Sequence, residues 1–261
     1  MKKLYYVIQY NLGIYLKTKR FWASLILTVG ILILGLSTYL KPGTDLPSSV
    51  SEYYLAPVSV LVLLISILGA IFGGDIISSD KEMGNAYFLY SLPISFRKLF
   101  FGKFISSLIA ISGIIIIYYM IIFLISILCY GHSSLILGES ILLALLYSVA
   151  WISFSSFIGS FFRKTSSSLI SAILMNFFVM NTLGSVIAKA TNWPVWFILN
   201  YVSYPCWAIF KESYPTTTSV TTSLGPVTIE IPTLMESLVI MVIYIGTFLV
   251  GSYIVYKKKE V

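Results

Sequence analysis

Six stretches of this chain run for about 20 residues or more without one charged side chain, and that pattern leaves few folds open. They cover 21–40, 53–74, 104–131, 140–162, 165–188 and 237–256. A helix needs about 20 apolar residues to cross ~30 Å of hydrocarbon, so each stretch is long enough to span. The whole chain is 58% hydrophobic and only 10% charged, against about 25% charged for an ordinary soluble domain. A water-soluble fold would lack the polar surface to cover such a core. The spacing therefore predicts an all-α polytopic membrane protein with helices at about 21–40, 55–78, 104–129, 139–162, 167–189 and 235–256.

Lysine and arginine placement predicts the orientation. Lys2, Lys3, Lys17, Lys19 and Arg20 precede the first span, and Lys81, Arg97, Lys98 and Lys103 lie between the second and third. Arg163 and Lys164 join the fourth to the fifth, and Lys257, Lys258 and Lys259 follow the sixth. All but Lys41, Lys189 and Lys211 of the 17 basic residues thus fall on one side, which the positive-inside rule makes cytoplasmic, with both termini inside. The net charge of +7 follows from that bias and needs no nucleic acid to explain it.

A seventh charge-free run, 190–210, fails as a span. A full crossing there would put the basic tail outside, and Pro194 and Pro205 each remove a backbone donor. With Trp193, Trp196, Tyr201, Tyr204 and Trp207 it reads as a broken helical pair at the outer leaflet, shielded by protein. The Thr- and Pro-rich piece 213–232 reads as an external loop whose VTIEIP end suits a short strand. Before the first span, Leu4, Val7, Ile8, Leu12 and Tyr15 recur at helical spacing, so 1–20 reads as an interfacial helix. The first span is too long for a signal-peptide core and no small-residue cleavage site follows it.

The residue inventory bears on chemistry. His132 is the one histidine and reads as a polar loop residue, so a multi-histidine metal or haem site is not available. No GxxxxGK[ST] loop occurs, so the chain does not hold ATP by that route. Cys129 and Cys206 both fall near the outer face, where a disulfide is chemically allowed in an oxidising compartment; two buried thiols are the plainer reading. Asp75, Glu139 and Glu236 sit at span ends and none reaches the bilayer midplane. An ion-coupled secondary transporter places ionisable groups there, which counts against that class. A polytopic membrane enzyme needs an acidic or histidine cluster at one depth, and none assembles. Both stay as alternatives to a transport subunit powered from elsewhere.

One charged island, 80–103, separates the second and third spans. Ser79 followed three residues later by Glu82 has the capping-box pattern and predicts a helix start near Asp80. Gly84 allows a bend, 85–92 makes a short aromatic helix, and Pro93 ends it. Ser95 is placed to cap the next helix, with Arg97, Lys98 and Lys103 anchoring its entry at anionic headgroups. An exposed aromatic helix of this kind marks a partner site or lies on the leaflet. In the second span Gly69 and Gly73 stand four apart, a spacing that lets helices approach closely and suits a contact between two membrane chains.

The string Asp80-Lys81-Glu82-Met83-Gly84, then Leu89, Leu92-Pro93-Ile94-Ser95, Arg97 and Gly102-Lys103, resembles the cytoplasmic loop of type-2 ABC transporter permeases. The match covers the loop; elsewhere only the layout agrees. The resemblance implies that the loop is a coupling region docking on a separate ATPase, with Glu82, Gly84, Tyr87, Phe88, Leu89 and Pro93 at or near the contact. It implies an exporter of two six-span permeases, identical or different, and two ATPase copies, with ATP and Mg held by the partner and no cofactor in this chain. It implies a central pathway flanked by the second and fifth spans, making Ser66, Asn176 and Asn181 candidates to line it. Interhelical hydrogen bonding is the plainer reading of each of those three, and a helix-capping role accounts for Glu82 as simply as a contact does. The expected organisation is one transmembrane domain over 1–261, with a coupling loop at 79–103 and an external re-entrant segment and loop at 190–232. Its uncharged pathway groups favour an amphipathic drug, peptide or lipid as cargo, moved outward, and the expected location is a prokaryotic plasma membrane.

Overall fold

The computed structural model describes residues 2–37, 39, 47–82, 95–191, 195, 197–222 and 225–258. Helix α1 (Lys2–Lys17) is followed by α2 (Lys19–Ser37), α3 (Val50–Glu82), α4 (Phe96–Tyr130) and α5 (Ile136–Phe161). The fifth span is compound: α6 (Thr165–Leu174), a π-helical turn (Met175–Met180) and α7 (Asn181–Thr191). A 3-10 turn (Tyr201–Ser203), α8 (Pro205–Ala208), strands β1 (Thr217–Thr222) and β2 (Gly225–Glu230), and α9 (Leu234–Lys258) complete the order. Six helices among the described residues are long and apolar enough to cross a membrane: Lys19–Ser37, Val50–Ser79, Phe96–Tyr130, Ile136–Phe161, Thr165–Gly184 and Leu234–Lys257. The protein is an all-α polytopic membrane protein, with one antiparallel hairpin added, in which Thr217 pairs with Glu230 and Thr222 with Gly225.

Two helices outrun the membrane. With 33 and 35 residues, α3 and α4 each reach ~50 Å at 1.5 Å per residue, against ~30 Å of hydrocarbon. The expected helix start near Asp80 is therefore corrected: 79–82 is the last turn of α3. Once begun, the i to i−4 ladder continues past the apolar run. The Ser79 hydroxyl donates back to the Asp75 carbonyl at 2.7 Å rather than capping a new helix. Ser95 does stand at the N-cap of α4 in extended geometry, but its side chain makes no cap bond. A true capping box opens α9, where Thr233 N–H and Oγ1–H both donate to Glu236 Oε2 at 2.7 and 2.9 Å. At the far end of α4, Gly131 adopts φ +74 and its N–H donates to the Ile127 carbonyl, closing the helix with an αL cap.

The centre of the bundle is the α3–α5 pair, with α9 and α4 also packed on α5 and with α2, α4 and α6 around α3. Glycine sets how closely the pair approaches. A Cβ on Gly69 would stand 2.6 Å from Trp151 Cβ, and one on Gly73 2.8 Å from the Ile152 carbonyl oxygen. The close approach that these two glycines permit is thus within one chain. Both glycines face α5, and this intrachain packing is what the structure shows of them.

Pro57 stands inside α3 without an N–H, so the Tyr53 carbonyl loses its helical donor. The Tyr39 hydroxyl is shared between that carbonyl, at 3.3 Å, and the Glu52 carbonyl, at 3.2 Å. Helix α1 lies on α4: a Cβ on Gly102 would stand 2.5 Å from Val7 Cγ1, and Tyr15 Oη meets Ser107 Oγ at 3.0 Å. The Val7 and Tyr15 side of α1 therefore packs on protein, while Tyr5, Tyr6 and Tyr10 are exposed.

Candidate coupling site

At the end of the bundle where α3 stops, two acidic side chains tie three helices together. Arg20, in the first turn of α2, forms a salt bridge with Asp75 of α3 at 3.2 Å. Seven residues on, Glu82 extends from the last turn of α3 and accepts the Thr165 backbone N–H at 2.9 Å. Thr165 is the first residue of α6, and the N-cap position before it is Lys164, whose side chain carries no acceptor. The orphan donor at the start of a helix needs an oxygen, and here a neighbouring helix supplies it. The negative carboxylate also meets the positive end of the α6 dipole. The Thr165 hydroxyl and N–H, then the Arg20 and Lys164 charges, hold the Glu82 carboxyl below its ordinary value.

Small side chains join α3, α5 and α6 just inside this charged layer. The Gly74 carbonyl accepts both the Ser78 hydroxyl at 2.7 Å and the Ser168 hydroxyl at 2.8 Å. A Cβ on Gly159 of α5 would stand 2.7 Å from that same carbonyl oxygen. Across the bundle, Arg97 Nε donates to the Tyr253 hydroxyl at 3.3 Å, linking α4 to α9. Arg97 and Lys98 are exposed, whereas Lys103 is only 7% exposed, which sets it apart from them as a headgroup anchor. Gly84, Tyr87, Phe88, Leu89 and Pro93, expected at the ATPase contact, lie outside the described residues.

The expected pathway residues are spread by the fold. Ser66 is buried and its hydroxyl donates to Leu63 of its own helix at 2.7 Å. The exposed stripe on the N-terminal half of α3 carries Glu52, Ser59 and Leu63 instead. Asn176 is buried in the π-helical turn, and its backbone carbonyl accepts Asn200 Nδ2 at 3.2 Å. A π-turn holds one residue more than an α-turn and leaves carbonyls for other donors. Asn181 is the first residue of α7, directly after that turn.

At the opposite end a pair of buried hydroxyls links three helices. Tyr119 donates to Ser140 Oγ at 2.7 Å, and Ser140 donates to the Cys206 carbonyl at 2.7 Å. The pair pins α8 to α4 and α5, so the run 195–210, where described, is built into the bundle by short turns. Cys129 is exposed and Cys206 buried, and both are free thiols. Burial pushes the Cys206 thiol up to about 12. His132 is exposed, with Nδ1 donating to the Tyr130 carbonyl at 2.9 Å. Among the described residues, no three His, Cys, Asp or Glu side chains form a metal-holding group.

Sequence reasoning picked out Glu82 but not its partner Thr165, nor the Arg20–Asp75 bridge or Asn200. Lys164 at an N-cap was the available signal, since a helix start with no acceptor of its own invites one from elsewhere.

Six helices long and apolar enough to span, held by intrachain caps and glycine contacts with a charged layer at the end of α3, define a polytopic membrane protein. Residues 11–261 match the ABC-2 family transporter protein family, and the chain belongs to that family. No curated protein matches the chain. Membrane proteins of this family typically work with ABC ATPase subunits.

Proposed function

We propose that this permease is the membrane half of an ATP-driven exporter whose energy enters through the loop between α3 and α4. The observation that carries the reading is the Glu82–Thr165 hydrogen bond. The loop leaves α3 at the residue that caps α6, so any displacement of the loop root acts on the second and fifth spans together. Asp75 fits the same role: about two helical turns before Glu82 on α3, it is engaged by Arg20 rather than offered as an ion relay.

In this reading the ATPase docks on Tyr87, Phe88 and Leu89, with Gly84 and Pro93 setting the ends of the docking helix. Two permeases, of one kind or two, flank the pathway with their second and fifth spans, and two ATPases drive them. Arg97 and Lys98 hold the loop at the headgroups, both termini lie in the cytoplasm, and the cargo is an amphipathic drug, peptide or lipid moved outward.

The experiment uses the permease reconstituted with its ATPase. Tyr87→Asp and Phe88→Asp are expected to abolish co-purification. Glu82→Ala should keep the complex intact and ATP hydrolysis running while transport per ATP falls at least severalfold. Transport at the parental rate in Glu82→Ala, with parental ATP consumption, refutes the coupling role. Failure of any ATPase to associate refutes the exporter reading itself.

A further inference from the structure

The end of the bundle opposite Glu82 carries a groove of about 570 Å³ whose walls include Tyr39, Glu52, Leu55, Ser59, Trp207 and Lys211. That volume lies within the few hundred to about 1,000 Å³ of small-molecule sites. Glu52 and Lys211 are both exposed and opposite in charge, and they line one cavity without forming a salt bridge. The ion pair found among the described residues is Arg20–Asp75, at the other end of the molecule. Each charge is only partly engaged. Ser48 Oγ donates to Glu52 Oε2 at 3.1 Å, which leaves most of the carboxylate's acceptor capacity. Lys211 Nζ sits 5.1 Å from the Trp207 ring centroid, a cation–π contact that leaves its N–H donors unspent on any carboxylate.

Between the charges the lining is mostly apolar, with Pro47, Leu55, Ala56 and the Tyr39 and Trp207 rings. Below it, α3 continues its exposed stripe through Ser59 and Leu63 toward membrane depth, one helical turn per step. A ligand that satisfies all three features carries a cation, an anion and a hydrocarbon tail. An anionic lipid offers nothing to Glu52, and a cationic amphiphile nothing to Lys211.

We infer that this groove binds a zwitterionic amphiphile of the aminophospholipid type. Its ammonium meets Glu52, its phosphate meets Lys211, and its chain lies along Leu55, Ser59 and Leu63. The ligand comes either from the bilayer or from the cargo pool. The site itself needs only the membrane fold; the choice between those two sources rests on the exporter reading.

The test places the full chain in phosphatidylglycerol nanodiscs with a few per cent of photoactivatable phosphatidylethanolamine and maps the crosslinks by peptide mass spectrometry. Label is expected on the 52–63 stretch of α3, competed by unlabelled phosphatidylethanolamine but not by diacylglycerol. Glu52→Gln and Lys211→Gln should each cut labelling roughly three- to tenfold, the worth of one charge-assisted contact near water. Both side chains are exposed, so neither change threatens the fold. The exchange Glu52→Lys with Lys211→Glu should restore labelling, because a zwitterion can bind reversed. Labelling indifferent to both single variants, or competed equally by diacylglycerol, overturns the proposal. In the complete transporter, ATP-dependent loss of label identifies the ligand as cargo, and unchanged label identifies a resident lipid. Both outcomes sustain the site, and neither depends on whether the docking variants behave as proposed.

Discussion

Replacing Gly73 by alanine adds one methyl group where α3 and α5 already touch. The new Cβ would stand 2.8 Å from the Ile152 carbonyl oxygen, 2.9 Å from Ser155 Cβ and 3.1 Å from Ile152 Cα. Carbon atoms rest at about 3.5–4.0 Å, so the helices must part by roughly half an ångström or more. Two of the three obstacles are backbone atoms, which cannot rotate aside. An opening of that size forfeits a quarter to a half of each dispersion contact it stretches, and overpacking of this kind costs about 1–3 kcal/mol. Gly113 of α4 supplies the control, because a Cβ there meets nothing within 4 Å. Gly113→Ala should gain up to about 1 kcal/mol from helix propensity alone. Thermal unfolding of both variants in nanodiscs is the assay. Gly73→Ala is expected to lower the midpoint by roughly 2–12 °C, and Gly113→Ala to leave it level or raise it slightly. If Gly73→Ala melts with the parent, α3 and α5 are not packed through this glycine. A loss of dimer mass with the melting midpoint unchanged would return Gly73 to a contact between chains.

Three further outcomes follow from single contacts. The Glu82 carboxyl is held below its ordinary value of 4.5, so its stabilisation is present above that value and is lost as pH falls through the folded pKa. The protection factor of the Thr165 amide, corrected for the intrinsic pH dependence of exchange, should therefore be high near neutrality and fall on acidification below the usual carboxylate range; a pH-independent protection factor would remove the cap. An impermeant maleimide added to right-side-out vesicles should label exposed Cys129 and leave Cys206 unmodified, since a buried thiol pushed to about 12 offers almost no thiolate. Label entering Cys129 only from inverted vesicles would reverse the proposed orientation. Tyr119→Phe removes the donor to Ser140 and should cost about 0.5–1.5 kcal/mol in unfolding experiments, with the Ser140 bond to the Cys206 carbonyl retained.

Hydropathy made the spans legible because a membrane helix must be apolar along its whole length, whatever it packs against. The ends of the helices were less legible. Nothing apolar marks the last turn of α3, so the Ser79–Glu82 spacing looked like a beginning. The carboxylate does cap a helix, but that helix is α6, 83 residues further along the chain. Sequence spacing reports what a side chain can reach along its own helix and is blind to a neighbour brought in by the fold. The Gly69–Gly73 pair shows the same blindness. Its spacing announces a close helix contact without naming the partner, and Trp151 and Ile152 name it as α5. The hairpin was half legible: the VTIE part of β2 alternates as strands do, while its partner β1 is a Thr-rich run that reads as loop.

The distribution of glycine and of backbone irregularity separates a stiff part of this bundle from a deformable one. Helix α3 meets α5 through Gly69 and Gly73, whose nearest neighbours there are backbone atoms and Cβ carbons that no rotamer change moves. The compound fifth span is built differently. Its first turn is fixed by Glu82, its upper part carries Gly184 beneath the Tyr201 ring, and between them lies the π-turn Met175–Met180. A helix restrained at both ends can accommodate a displacement at one end only where its hydrogen-bond register can change, and a π-turn is such a place. The Asn200 amide, reaching from the turns before α8 to the Asn176 carbonyl, senses that register from the opposite end of the bundle. A push at the root of the α3–α4 loop would therefore move α3 and α5 as one body. In the fifth span it would be taken up at Asn176, which places the moving part of the proposed pathway at a backbone feature rather than at any side chain chosen for its polarity.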